Sequence, residues 1–538
     1  MSMRLAMLSA VVLMMSLGAA AQTVSVDAAN ASPDHTTTFS SLMEAIHSFQ
    51  ADGTGGAGVN HGNAEPDIIR IASTAVIDEA IEMDAVTGPS VALDEPLTIE
   101  GDGITALVAL RSTGADGLWY QQDVDLTLRD IIFIPSRTDT PIDDLIELRA
   151  TANAADVTIT MERVVVTAND GSDGPVTTDG RLTATEAEAA LATATGVGDD
   201  AVYLVSDSGG GSMTLTATDL IISAFHTSFS AGDRSTEGNH DGMVVFMDGT
   251  TSDIVNATVQ LGEGCVISCT PRFGIQSSPG AHIDIAGSAS DPVVFNHIHS
   301  DGIWVTSDSD SPTQASVCTV DRAIFAHIDA SALKEQETFG RGFIGSLTNT
   351  IIAHCGFPGI ELYASGALPP GGLADSTLTV ANTTVHGCGT AWDGSDTDYD
   401  DRGGCISAPV YQSINASNRS VDMDDVIISG GAGQTGLHSG GPCTMAIDFS
   451  AIVTLGSNAV GAATSGGGTI TVGGSVIGDA IVYLDTDDPF SPDFFDVVVY
   501  SGQSSPYRTA GTGGAPLSGG GDLVELTYSA VSSWSVYR

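Results

Sequence analysis

Phe295-Asn-His297-Ile-His299, Phe325-Ala-His327-Ile-Asp329 and Ile352-Ala-His354-Cys355-Gly356 align without a gap, and Val385-His386-Gly387-Cys388 continues the series. The histidines at 297, 327 and 354 are 30 and then 27 residues apart. A period of that size with variable insertions marks a solenoid, in which each repeat makes one turn and stacks on the next. The alignment therefore predicts a column of imidazoles along one side of the coil.

Working outward, the same grammar recurs. Ile68-Ile-Arg-Ile71, Leu97-Thr-Ile99, Leu126-Thr-Leu128 with Ile131 to Ile134, and Val157-Thr-Ile159 with Val164 to Val166 alternate with period two inside short pieces. Such pieces are strands, not helices. Polar corners such as Arg129-Asp130, Thr218-Asp219, Asp321-Arg322 and Asn382 separate two strands, and a third opens at a glycine or acid, as in Gly302-Ile-Trp and Gly359-Ile-Glu. Three short strands per turn of about 30 residues resemble the right-handed parallel β-helix of the pectin-lyase-like superfamily. Gly280-Ala-His-Ile-Asp-Ile-Ala-Gly287 followed by Asp291-Pro-Val-Val-Phe295 is similar to a rung of secreted bacterial β-helix proteins. The resemblance spans roughly residues 65 to 480 and implies a fold, while one fold hosts many functions.

Four segments are expected. Residues 1–21 read as a signal peptide, with Arg4, an apolar stretch from Leu5 to Leu17 and Ala19-Ala20-Ala21 before the cleavage point. Residues 22–64 carry a capping helix over 39–49, with Ser41 and Glu44 as its capping box. Residues 65–480 form the all-β solenoid, and 481–538 a C-terminal cap or small appended β region over the last rung. Within the coil, 181–197 is alanine-rich with Thr185 and Glu188 at a helix start, and 389–404 is an acidic loop.

Composition narrows the partners. The 538 residues hold 67 acidic and 17 basic side chains, a formal charge of −50, and Lys334 is the single lysine. Phosphate neutralisation needs clustered cations, so nucleic acid is excluded as a partner. A hydrophobic fraction of 42% argues for a folded chain despite the charge. The expectation is a monomer, secreted or displayed at the cell surface, with no transmembrane anchor.

The chemistry-bearing positions follow from the register. His297, His327 and His354 would project from successive rungs with His299 and Asp329 on the same face, rigidly spaced and able to exchange protons near neutral pH. Arg322 would join them as the cation of a catalytic site. Asp393, Asp396, Asp398, Asp400 and Asp401 crowd one flexible loop and suit Ca²⁺, which takes six to eight oxygen ligands, though they do not match an EF-hand. Cys355 and Cys388 fall at one register position, where neighbouring rungs lie within reach of a disulfide or of two stacked thiols. Cys265 and Cys269 could pair across a tight turn. Trp304, Trp392 and Tyr363 are candidate sugar-stacking surfaces.

Glycoside hydrolysis needs two carboxylates flanking a bond. The Asn-Thr-Asp, Asp-Asp, Gly-His-Gly and Arg-Ile-Lys series of the pectin hydrolases has no match, and Lys334 reads as a loop residue, which weakens lysine-dependent lyase schemes. The favoured reading is non-catalytic binding of extracellular polysaccharide or matrix. The alternatives are a lyase, epimerase or hydrolase acting at the histidine column, and a structural or adhesive spacer.

Overall fold

Many corners among the described turns are made by residues whose backbone lies in the left-handed region. Between the first and second strands these are Asp130, Arg163, Asp219, Arg322, Asn349, Asn382 and Asp425, with φ from 44° to 56°. Asp and Asn tolerate this conformation because their short polar side chains bond locally. The two arginines do not, and each is held by a carboxylate, Arg163 by Asp130 at 2.6 Å and Arg322 by Asp321. After the second strand the corner residues are Cys269, His297, His327 and His354, followed by Gly387 and Gly430.

The chain between these corners is a parallel β-helix. In this computed structural model residues 23–526 are described apart from 50–66, 73–75, 85–92, 112–115, 137–143, 151–155, 168–199, 208–210, 224–241, 249–256, 307–314, 338–341, 365–374, 390–404, 409–417, 431–435, 454–461 and gaps of one or two residues. The expected signal peptide, the 181–197 helix, Trp392 and the Asp393–Asp401 calcium loop lie outside the described residues. The strands form three columns, all paired parallel along the coil. The first and second merge into one sheet through strands that run across the corner, such as Leu126–Pro135 and Val157–Thr167. The third is a separate sheet of twelve strands from Ile81–Asp84 to Ala462–Ser465. The register inferred from the histidine segments holds: Phe295 pairs with Phe325, Phe325 with Ile352, and Ile352 with Val385.

One side chain of each alternating pair points into the coil, where Phe295 and Phe325 stack with ring centroids 4.6 Å apart. Entry to the third column at Gly274 needs glycine, because a Cβ there would meet the Gly302 carbonyl oxygen at 2.5 Å. Outward, the first column carries an ion-pair ladder of Arg70, Glu100, Arg129 and Glu162. The helix Leu42–Ser48 buries Leu42, Ala45 and Ile46 and starts at Ser41, whose hydroxyl accepts from the Glu44 amide. Glu79 completes the cap by accepting from the Leu42 and Met43 amides at 3.0 and 2.9 Å, which satisfies donors that a helix start leaves unpaired.

Residues 481–526 fold back along the side of the coil instead of sitting only on its end. Val497, Val499, Tyr507 and Leu517 cover Ile427, Ala451 and Val453 on the outer face of the second column. Asn382 accepts from the Gly520 amide and Asp425 from the Thr512 amide. The reason is that this column is apolar on both faces, with Ile132, Val165, Ile221, Val266, Val294, Ile324 and Ile351 forming one outward stripe.

Phe325→Ala should destabilise the chain by about 3–5 kcal/mol, because the coil cannot collapse onto the missing ring. Ile344→Ala, at a side chain that is 52% exposed, should stay within about 0.5 kcal/mol. Denaturant midpoints of the two variants check the contrast.

Candidate functional site

The histidine column forms as its spacing predicts. His297 and His327 stack with ring centroids 4.9 Å apart, His327 and His354 at 5.2 Å, and His386 meets His354 edge-on at 5.5 Å. Its surroundings differ from the expectation. His354 Nε2 bonds the Thr486 carbonyl oxygen at 2.8 Å and His327 Nε2 the Asp487 carbonyl oxygen at 3.3 Å, so the C-terminal region occupies this flank. Burial pushes the imidazoles of His297 and His386 down to about 4, with neighbouring histidines adding to it, and lowers His327 as well. The neutral rings serve as a docking surface.

Arg322 is not beside this column. It turns the corner before strand Ala323–Ile328, whereas His327 makes the bend near the far end of that strand, and roughly 16 Å of extended chain separates them. Strand alternation also fails across His327, because a left-handed residue resets which way the next side chain points. His299 and Asp329 still meet, Nδ1 to Oδ2 at 2.9 Å, beyond the corner. Arg322 instead lines a cleft of about 940 Å³ whose floor is the apolar stripe and whose far wall is Pro489 to Phe494.

The outward face of the third sheet gathers more chemistry. Trp119, Glu147 and Tyr203 follow one another in register, as do Gln276, Trp304, Lys334, Glu361, Ser407 and His438. Lys334 is therefore a strand residue in Leu333–Glu337 and not the loop residue its surroundings suggested. The loop reading failed because Leu333 is the one apolar inward residue of this strand, and the next inward position holds Glu335, buried at 3% exposure, where neighbouring turns have Val305 and Leu362. Lys334 Nζ lies 3.6 Å from Asp301 Oδ2 and 5.9 Å from the centre of the Tyr363 ring. Arg149 lies over Trp119 at 5.4 Å, and Arg272 over Phe273 and Trp304 at 4.5 and 5.9 Å. The indole N–H groups of Trp119 and Trp304 and Oε1 of Gln276 are shielded yet find no hydrogen-bond partner among the described residues.

Beside Arg149 is a set that no motif announces. The carboxylates of Asp116, Asp144 and Glu147 are buried within 4.8 Å of one another, and Arg149 grips Glu147 at 2.6 Å. Among the described residues these oxygens converge closely enough to hold one divalent cation. Asp144 and Glu147 share the strand Asp144–Arg149, and Asp116 joins them from the preceding turn, where the Gly117 amide bonds the Asp144 carbonyl.

The seven cysteines are buried thiols, none of them in a disulfide. Of the two readings open for Cys355 and Cys388, the structure has the stacked thiols, and burial together with Cys355 pushes the Cys388 thiol well up. Cys265 and Cys269 likewise form no disulfide.

No family model and no curated protein matches the chain. A likeness is found to the A-module of the Azotobacter vinelandii mannuronan C-5 epimerase AlgE6, with 14% identity and a TM-score of 0.37, covering 87% of this chain and 98% of that one. At that level the likeness carries no argument about the site. No described helix is long and apolar enough to cross a membrane.

Thiol alkylation tests the cysteine arrangement. Burial raises Cys265 and Cys318 to about 12, so the folded protein should resist a maleimide or iodoacetamide at mildly alkaline pH. Unfolding in guanidinium should then release all seven thiols, counted by mass.

Proposed function

We propose that the chain binds an acidic extracellular polysaccharide along the outward face of the third sheet, without cleaving it. The observation that carries this reading is where the cations lie. In a chain of 67 acidic and 17 basic residues, Arg149, Arg272 and Lys334 each sit over an aromatic ring of this one face. A ring packs against the apolar face of a sugar, while a cation beside it meets a carboxylate or sulfate on the same unit. The unpaired indole N–H groups and the Gln276 oxygen supply hydrogen bonds to hydroxyls, which would relieve a desolvation cost the free protein bears. A net charge of −50 repels a polyanion elsewhere, so three cations set over rings of one face orient the polymer as well as hold it. The histidine column suits a ligand less, since His327 and His354 already bond the chain's own carbonyls.

A second reading, proton abstraction from a uronate on the same face, has one specific observation in its favour. Lys334 lies between Trp304 and Glu361 on adjacent rungs with Tyr363 beside it, so a cation, a carboxylate and a phenol border one spot.

Affinity electrophoresis against acidic and neutral polymers of equal length separates these readings. Retention should appear with the acidic polymers, weaken with added salt and leave polymer size unchanged. Trp304→Ala and Lys334→Ala should each weaken retention roughly tenfold, equivalent to about 1.4 kcal/mol. Equal retention of neutral polymers, or indifference to both variants, would sink the binding reading. Shortened or unsaturated chains would favour the second.

A further inference from the structure

We propose that His386 is a proton-sensitive latch that holds residues 483–495 against the coil and thereby closes one end of the cleft on the second column.

The latch is a directed chain of hydrogen bonds. Tyr483 is partly buried, and the desolvation of its hydroxyl keeps the phenol protonated by raising its pKa. Its hydroxyl lies 2.7 Å from Ser429 Oγ, the one acceptor that the described residues give it, so the phenol donates there. Ser429 must then turn its own proton to His386 Nδ1, at 3.0 Å. That assignment leaves Nδ1 as the lone-pair nitrogen of a neutral ring. Protonating the ring puts a second donor against the serine proton, and one buried group of the chain loses its partner, which costs its full desolvation penalty.

The surroundings sharpen the effect. The His386 ring packs against His354 at 5.5 Å, Phe495 at 5.0 Å and Tyr483 at 5.6 Å. On the coil side the charged and titratable groups are His354, His327, His297, His299 and Asp329. On the packed segment they are Tyr483, Asp485, Asp487 and Asp488. The acids among these act at the other end: Asp329 draws on His297 and Asp487 on His327. His386 feels burial first and then His354, both of which disfavour its charge. The contacts of His327 and His354 with Asp487 and Thr486 run from ring N–H to carbonyl, so protonation leaves them intact. Acid therefore acts on the His386–Ser429–Tyr483 chain in particular.

The released part is limited. The apolar cluster of Val497, Val499, Tyr507 and Leu517 on Ile427, Ala451 and Val453 has only the phenols of Tyr507 and of the adjoining Tyr483 as ionisable groups, so acid leaves it to hold the rest of the C-terminal region in place. Residues 489–494 form the end wall of the cleft, whose floor includes Val165, Ile221, Val266 and Val294. Freeing 483–495 lengthens that cleft along the apolar stripe.

The direction with pH follows from linkage. A free histidine titrates near 6.5, and the docked ring near 4. The undocked segment thus binds the proton more readily, so docking is at full strength above about 6.5 and weakens as pH falls toward 4. Partial solvent access limits the loss to roughly ten- to hundredfold in the docking equilibrium.

Amide hydrogen exchange, corrected for intrinsic rates, reads this directly. The reporters are the Leu484, Phe495 and Val498 amides, which bond the carbonyls of Asp496, Asp485 and Val482. Their protection should fall roughly ten- to hundredfold between neutral pH and pH 4, while amides of Val293–Ile298 and Ala323–Ile328 hold. His386→Gln, whose side-chain oxygen can still accept from Ser429, should keep the segment protected at both pH values. Ser429→Ala, which removes the relay with less change in volume, should loosen the segment at neutral pH and flatten its pH response. The latch is overturned if protection does not change, if His386→Gln loses it equally on acidification, or if coil and segment exchange together.

Discussion

The coil depends on corner residues that accept a backbone conformation L-amino acids avoid. Without those left-handed corners the chain could not pass from one flat strand to the next in so few residues, and no column of side chains would stay in line. The cost is modest per residue, and it is met locally: carboxylates steady the arginine corners, and Asn and Asp supply most of the others. At the second corner the same constraint selects histidines, cysteine and glycine, and that choice creates the imidazole stack.

The corners also sort the three outward faces. The first column turns out threonines and an ion-pair ladder, which are solvated and self-satisfied. The second is apolar outside as well as inside, so the C-terminal region folds back over part of it and leaves a cleft over the remainder. The third carries rings, cations and shielded polar groups without internal partners. Function is thus divided among faces of one coil, and each face is a column of residues far apart in sequence.

Legibility followed the range of the interaction. Phe295, Phe325 and the histidines announce their register because adjacent turns repeat the same residue types. Ser41 announces a helix start because capping is a local bond. Arg322 was misjudged, since two positive-φ residues bracket its strand and alternation cannot be counted through them. Lys334 was misjudged because a buried Glu335 masks the strand pattern. Asp116 gives no sign of meeting Asp144 and Glu147, for it comes beside their strand only once turns of unequal length are stacked. The position of residues 481–526 was equally hidden, since it depends on an outward apolar stripe that a strand-by-strand reading assigns to the core.

Parallel stacking has one more consequence, for how such a face changes over generations. Each rung touches only its two neighbours, so a duplicated or deleted turn leaves the rest of the coil undisturbed. The track on the third sheet therefore grows or shrinks in steps of about 4.8 Å, one side chain at a time. Length of grip on a polymer becomes a counted trait, set by how many turns the gene encodes, while the chemistry of each contact varies separately by point substitution.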